Sequence, residues 1–108
     1  MSYKVLNTGV FKKHLKALLK KYPSVKKDFE LLQNSLLENP TQGQPLGHSC
    51  YKIRWNITSK KSGKRGGARV ITFVMIENET INLLDVYDKA EKDTLSDKEL
   101  ISLIKQMI

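Results

Sequence analysis

The spacing of hydrophobic residues changes near Cys50 from the period of a helix to the period of a strand. Before that point, apolar residues recur every three or four positions along Val10–Tyr22 and Ser24–Asn39, which predicts two amphipathic helices. After it, apolar and polar residues alternate from Tyr51 to Ile57, as in a strand with one buried face. A chain of 108 residues with both patterns is expected to pack helices against a sheet.

Polar and conformationally special residues predict where these helices begin and end. Tyr22-Pro23 ends the first helix, and Ser24 is a good N-cap for the second, with Asp28 near its positive end. Residues 39–49, NPTQGQPLGHS, contain two prolines and two glycines and predict a loop. The two helices therefore form a hairpin that a loop connects to the first strand of the alternating region.

Further strands and a last helix complete the predicted order. Ala68–Ile76 and Thr80–Val86 are rich in Val, Ile, Leu and Phe, and the polar ENE between them predicts a hairpin turn. A short strand, Ser2–Leu6, precedes the first helix, and Ser96 with Glu99 forms a capping-box pattern before an apolar C-terminal helix. The class is α+β: an antiparallel-rich four-stranded sheet with an N-terminal helical hairpin and a C-terminal helix.

Length and charge limit the function classes. A chain of 108 residues is typical of one domain, so we expect a single domain spanning 1–108. The 19 Lys and Arg residues against 11 Asp and Glu residues give a net charge of +8, which favours a polyanionic partner, nucleic acid first. No apolar run approaches the roughly 18 to 20 residues that span a bilayer, and the N-terminus lacks a secretory pattern. We therefore expect a cytoplasmic protein without a membrane partner.

The positive charge is concentrated between Cys50 and Ile71, which carries seven basic residues and no acidic one. A surface that only solvates the protein usually mixes both signs, so this segment favours a phosphate-facing surface. For a single lysine, a solvated strand face is the simpler interpretation. The basic residues are Lys52, Arg54, Lys60, Lys61, Lys64, Arg65 and Arg69.

Three positions at the ends of strands are candidates for specific roles. Arg69 begins a strand, where a rigid element holds the planar guanidinium better than a loop does, although a surface ion pair would also explain it. Tyr87 and Lys89 follow the last strand, at an end of the sheet where functional groups often cluster, although half-buried packing is common for such a tyrosine. His14 lies among lysines on the first helix and His48 lies in the loop, and neither belongs to a cluster of carboxylate or thiol ligands, so no metal or other cofactor is expected. His48 is a further acid/base candidate.

The segments CYKIRW, GKRGGARVI and LLDVYDKAEK, in this order, resemble those of the RelE/HigB toxins of bacterial toxin–antitoxin systems, particularly the HigB-like branch. The resemblance covers most of the chain in element order. It implies a RelE-like fold and ribosome-dependent cleavage of messenger RNA by a metal-independent endoribonuclease. It also implies a cognate antitoxin protein that neutralises the toxin.

The resemblance assigns site residues position by position. Lys52 and Arg54 match the paired basic positions of the family's active-site strand, and Arg69 matches the arginine that begins the next strand. The chain departs from the RelE prototype at Ala90, where the prototype has arginine, and at Ser96, near the position of a catalytic tyrosine. Lys64 and Arg65 match the basic loop of the HigB-like branch, and Tyr87 and Lys89 match its YxK segment. Lys60 and Lys61 of the same loop are also expected to bind RNA.

The chemistry of such a site follows from the reaction itself. Attack by the RNA's own 2′-hydroxyl needs removal of its proton, in-line alignment and stabilisation of charge on the phosphoryl oxygens. Arg54 and Arg69 suit the last task, because guanidinium groups stay charged and can bind in a bidentate manner. Like-charged neighbours disfavour the protonated form of Lys52, so we expect Lys52 or Tyr87 to handle the proton.

Two other functions remain open from the sequence. ParE-like toxins resemble the same scaffold but inhibit DNA gyrase as protein binders, and the basic strand disfavours that interpretation. A non-enzymatic RNA-binding module would need exposed aromatic platforms, whereas Tyr51 and Trp55 fall on the apolar side of the alternation.

Overall fold

The computed structural model describes residues 3–59, 67–92 and 94–107. Across these residues the chain forms three helices and one five-stranded sheet with the strand order β1-β5-β4-β3-β2. The elements are β1 (Lys4–Asn7), α1 (Gly9–Lys21), α2 (Val25–Glu38), β2 (Gln44–Gly47), β3 (Cys50–Trp55), β4 (Ala68–Met75), β5 (Thr80–Asp88) and α3 (Asp97–Met107).

The central three strands are antiparallel and follow one another in sequence, as the alternation predicted. β3 pairs with β4, and β4 pairs with β5 through the turn at Ile76–Glu79. β1 lies parallel to β5, with Lys4 opposite Thr80. Two parallel strands require a long crossover connection between them. Between β1 and β5 this connection contains α1, α2 and the strands β2, β3 and β4.

The prediction of a four-stranded sheet was wrong, because β2 lies inside the segment that predicted a loop. β2 pairs with the outer edge of β3, with Gln44 opposite Lys52, and a bulge separates Pro45 from Gly47. Proline lacks a backbone N–H and is tolerated on an edge strand or at a bulge, both of which apply here. The proline and glycine content of this segment, from which we predicted only a loop, is therefore compatible with an irregular edge strand as well.

The two faces of the sheet pack against different helices. On one face, α1 and α2 contribute Phe11, Leu18 and Leu36 to a core shared with Ile53 and Trp55 of β3. We call this the first core. On the other face, α3 contributes Leu100 to a smaller second core with Cys50, Ile71, Leu84 and Tyr87. Because both faces of the sheet are covered, β4 and β5 are buried almost throughout, including polar residues such as Asn82 and Asp85.

A β-bulge in β5 changes which residues face each core. Ile71 lies opposite Asp85 but Thr72 lies opposite Leu83, so Leu84 is an extra residue on β5. Leu83 accordingly joins the first core and Leu84, its neighbour in sequence, joins the second. The C-terminal half of β5 is thereby rotated relative to its N-terminal half.

Side-chain hydrogen bonds cap the N-termini of two of the three helices. Thr8 accepts a hydrogen bond from the backbone N–H of Phe11 and begins α1. The capping box before α3 is confirmed, because Ser96 and Glu99 each bind the other's backbone N–H at 3.1 Å. Ser24 precedes α2 but makes no side-chain cap bond, and its hydroxyl donates instead to Asp28.

Asp28 joins the start of α2 to the segment that follows β3. Its buried carboxylate accepts hydrogen bonds from the Thr58 hydroxyl at 2.6 Å, the Thr58 backbone N–H at 2.8 Å and the Ser24 hydroxyl at 2.7 Å. Its backbone carbonyl accepts from the Trp55 indole. Burial alone would raise the pKa of Asp28, but these hydrogen bonds outweigh it and hold the pKa below its ordinary value.

We expect Asp28→Asn to lower the free energy of unfolding at pH 7 by about 1–3 kcal/mol, because an amide replaces one acceptor oxygen with a donor. Since the folded-state pKa is lowered, the carboxylate's stabilisation is present above the unfolded pKa of about 4 and is lost as the pH falls through the folded value. Urea titrations of the wild type and the variant between pH 7 and pH 2 measure this difference. Exposed Glu30→Gln on the same helix is the control, and a difference that does not shrink with acid contradicts the account.

Candidate nucleic-acid interface

Three of the four predicted catalytic residues form one row across the central strands. Arg54 of β3 lies directly opposite Arg69 of β4, and Arg69 lies opposite Tyr87 of β5. Residues directly opposite in an antiparallel sheet point to the same face, with Cβ atoms roughly 4.5–5.5 Å apart. We call Arg54, Arg69 and Tyr87 the cross-strand row. It lies on the face that carries α3, because Tyr87 belongs to the second core.

Lys52 lies on the same face in the adjacent row. It is two residues before Arg54 on β3 and opposite Ile71 on β4, so its side chain points to the same side of the sheet as Arg54. Lys52 and Arg54 both line a cleft of about 420 Å³ whose other wall is Gln42–Gln44. The sequence prediction that the basic side chains of β3 face away from the first core is therefore confirmed.

The four residues differ in their access to solvent. Arg54 is exposed and Lys52 is half-buried, whereas Arg69 is only 3% exposed and Tyr87 only 5%. The Tyr87 ring packs within the second core beside Leu100, and the Lys92 ammonium lies 4.9 Å from the ring centroid. Lys52 and Arg54 thus form the accessible half of this face, and the other two groups are covered by the chain itself.

Placing two guanidinium groups opposite each other is unfavourable in an isolated sheet. Like charges directly opposite destabilise an antiparallel pair, and burial of Arg69 increases the cost of a like-charged neighbour. Natural sequences break such local rules mainly at functional sites. A phosphate group can accept charge-assisted hydrogen bonds from two guanidinium groups at once.

Lys89 lies at the end of the sheet where β4 begins. Lys89 donates its backbone N–H to the carbonyl oxygen of Gly67, the residue just before β4. The predicted binding residues Lys60, Lys61, Lys64 and Arg65 lie outside the described residues.

Two glycines allow close backbone contact with β3 beside the site. Gly67 has φ +79°, and a Cβ at this position would lie 2.5 Å from the carbonyl oxygen of Trp55. Gly43 has φ +106°, and its Cβ would lie 2.7 Å from the carbonyl oxygen of Lys52. Both contacts are with backbone atoms of β3, which cannot rotate away. These glycines therefore keep the flanking segments close to the strand that carries Lys52 and Arg54.

We expect Gly67→Ala to lower the free energy of unfolding by about 1–3 kcal/mol, because the positive φ and the contact with Trp55 both disfavour a side chain. Gly9→Ala is the matched control, because nothing lies within 4 Å of its Cβ position at the start of α1. It should stabilise by about 0.4–1 kcal/mol. Thermal and urea unfolding measure both changes, and equal effects of the two substitutions would refute the role given to Gly67.

The other candidate groups show no sign of nucleophilic or metal chemistry within the described part of the chain. Burial raises the pKa of Cys50 to about 11, so its thiol stays protonated at neutral pH. Residues 3–59, 67–92 and 94–107 contain no cluster of three or more His, Cys, Asp or Glu side chains suited to a metal ion. No helix in these ranges is long and apolar enough to cross a membrane.

The sequence patterns did not lead us to predict two features, a second basic region and a histidine–carboxylate pair. Residues 1–27 hold eight lysines and no acidic residue, and on α1 the exposed ones are Lys12, Lys13, Lys16, Lys20 and Lys21. A count of charge by segment would have found this second basic region. The other feature is a carboxylate partner for His14, since Asp85 lies 2.5 Å from its ring. These two residues are 71 positions apart, so no local pattern could have indicated the pair.

Comparison with known proteins supports the fold expectation. No family model matches the sequence. Among solved structures, a double arginine-to-alanine mutant of the E. coli toxin RelE in the free state matches with a TM-score of 0.62 and 19% sequence identity. The match covers 100% of both chains. The protein has a RelE-like fold. The cross-strand row therefore lies on the five-stranded sheet of a RelE-like α+β fold.

Proposed function

We propose that this protein is a RelE-type toxin that cleaves messenger RNA on the ribosome and so inhibits translation. The observation that carries the proposal is the cross-strand row, in which Arg54, Arg69 and Tyr87 share one face with Lys52. Two guanidinium groups, an ammonium and a phenol on one rigid face match the needs of RNA phosphodiester cleavage without a metal. The RelE-like fold and the net charge of +8 support the same conclusion.

Each group has a role that follows from its chemistry and position. Arg54, exposed beside the cleft, binds the scissile phosphate, and Arg69 stabilises the charge that develops on its oxygens. Lys52 or Tyr87 transfers the proton of the reacting hydroxyl groups. Burial of Arg69 and Tyr87 requires substrate binding to displace part of their cover, and the ribosome aligns the message for in-line attack.

The loop and the partners complete the proposal. Lys60, Lys61, Lys64 and Arg65, together with Lys89, bind the RNA backbone. The sequence of the basic loop and the YDK segment at Tyr87 support a HigB-like toxin within this type. A cognate antitoxin neutralises the basic site, because an acidic or groove-filling protein segment associates rapidly with such a surface. The protein acts as a single domain spanning 1–108, in the cytoplasm where ribosomes are found.

The geometry ranks the two rival functions below this one. A non-enzymatic RNA-binding module requires exposed aromatic platforms, but Tyr51 and Trp55 pack in or against the first core, on the opposite face from Lys52. A ParE-like gyrase inhibitor needs no converging cations on the sheet, and it would leave the cross-strand row unexplained.

The proposal is tested by adding the purified protein to a translation extract and mapping cuts in a labelled message. Wild type should cut the message only when ribosomes translate it. Arg54→Ala should lower the cleavage rate by roughly 100- to 1,000-fold, as loss of one transition-state contact does. Lys105→Ala, which removes an exposed cation from α3 away from the row, should retain the wild-type rate.

Two further variants test the proton-transfer assignment. If Lys52→Ala and Tyr87→Phe both cut at the wild-type rate, that assignment is wrong even if RNA binding persists. Intact message together with blocked DNA supercoiling would support the gyrase inhibitor instead.

A conservative substitution tests the role of the Arg54 guanidinium. Arg54→Lys should recover only part of the cleavage rate that Arg54→Ala loses, because an ammonium cannot bind phosphate in a bidentate manner.

A further inference from the structure

His14 and Asp85 form a fixed pair at the edge of β5. His14 Nδ1 lies 2.5 Å from Asp85 Oδ1, and the same oxygen accepts the backbone N–H of Val86 at 2.8 Å. The Asp85 side chain is 6% exposed, whereas that of His14 is 46% exposed. Because the carboxylate accepts from Nδ1–H, the neutral imidazole carries its free lone pair on Nε2. A buried carboxylate thus orients an accessible imidazole.

The pair opens onto a cleft that also reaches Tyr87, the member of the cross-strand row on β5. His14, Asp85 and Tyr87 all line this cleft, whose volume is about 420 Å³. Asp85 and Tyr87 are alternate residues of β5, about 7 Å apart along the strand. The other titratable or charged groups that line the cleft are Lys21 of α1 and Asp88, Glu91 and Lys92 at and beyond the end of β5.

The cross-strand row lacks the kind of group that this pair supplies. Arginine stays protonated, and lysine and tyrosine in their ordinary states are protonated at neutral pH. Histidine is the side chain whose charge ordinarily changes between about pH 5 and 8, which makes it the common general base. The second histidine, His48, lies in the turn before Cys50. Arg54 is near the last residue of β3, so His48 lies at the opposite end of this strand.

We propose that His14, oriented by Asp85, is the general base for RNA cleavage at the cross-strand row. The inference rests on the proposed function and adds a catalytic residue from outside the sheet. His14 Nε2 accepts the proton of the 2′-hydroxyl, the 2′-oxygen bonds to phosphorus, and the bond from phosphorus to the 5′-oxygen breaks. Tyr87 protonates the leaving 5′-oxygen. The His14 imidazolium then returns the proton to the Tyr87 phenolate through the shared cleft, so no net proton is consumed.

A purely structural role for the pair makes a different prediction. Beyond Leu83 the edge of β5 has no pairing with β1, and side chains of the helical hairpin and its cap bind that edge instead. Thr8 donates to the carbonyl oxygens of Leu83 and Leu84, and Tyr22 donates to Asp88. If His14 only extended this series, an asparagine amide donating to Asp85 would replace it without changing the chemistry.

The decisive variant is therefore His14→Asn, which keeps an N–H donor for Asp85 and removes the proton acceptor. Single-turnover cleavage of a labelled message on programmed ribosomes is measured from about pH 5.5 to 8. The wild-type rate should rise with pH as the base loses its proton. His14→Asn should cut at least about 100-fold more slowly at neutral pH and lose this rise.

Three outcomes overturn the inference. They are a wild-type rate that is independent of pH in this range, a His14→Asn variant with the wild-type rate and profile, and loss of the rise in His48→Asn instead. The first needs no variant and so holds even if His14→Asn does not fold, which its circular dichroism would show. A wild type that never cuts the message overturns the proposed function as well, whereas a wild type that cuts with an unaffected His14→Asn overturns this inference alone.

Discussion

The pairing register of β3, β4 and β5 determines almost everything described here. Side chains alternate between the faces of a strand, so a slip of one residue would exchange the residues of the first core with the basic ones. The register is fixed because Ile53 and Trp55 must face α1 and α2, where they are buried, and this leaves Lys52 and Arg54 on the other side. Burial of the apolar side chains of β3 thus determines where its basic side chains point, although the basic side chains are outside the first core.

The same sheet face serves both stability and the candidate chemistry. Tyr87 contributes to the second core and also completes the cross-strand row, and Arg69 is nearly as buried as the apolar residues around it. A side chain held by packing has few alternative rotamers, which favours precise positioning. The accompanying cost is limited access, since α3 and Lys92 cover part of the face on which substrate would bind.

The sequence predicted those features that depend on local period. The helical hairpin, the three antiparallel strands, the capping box before α3 and the outward direction of Lys52 all follow from spacing within one element. β2 escaped prediction because Pro45 and Gly47 indicate loops and irregular edge strands alike. The contact of His14 with Asp85 could not be predicted, because it depends on how α1 lies against β5.

The extra residue at Leu84 has a consequence for how this architecture can vary. If the same nine residues of β5 paired without the bulge, strict alternation from Ile81 and Leu83 would turn Tyr87 towards α1 and α2, away from the face that carries Arg54 and Arg69. With the bulge, β5 contributes Ile81, Leu83 and Val86 to the first core, and Leu84 and Tyr87 to the second. Substitutions in the second half of β5 therefore alter interior packing and the candidate chemistry together.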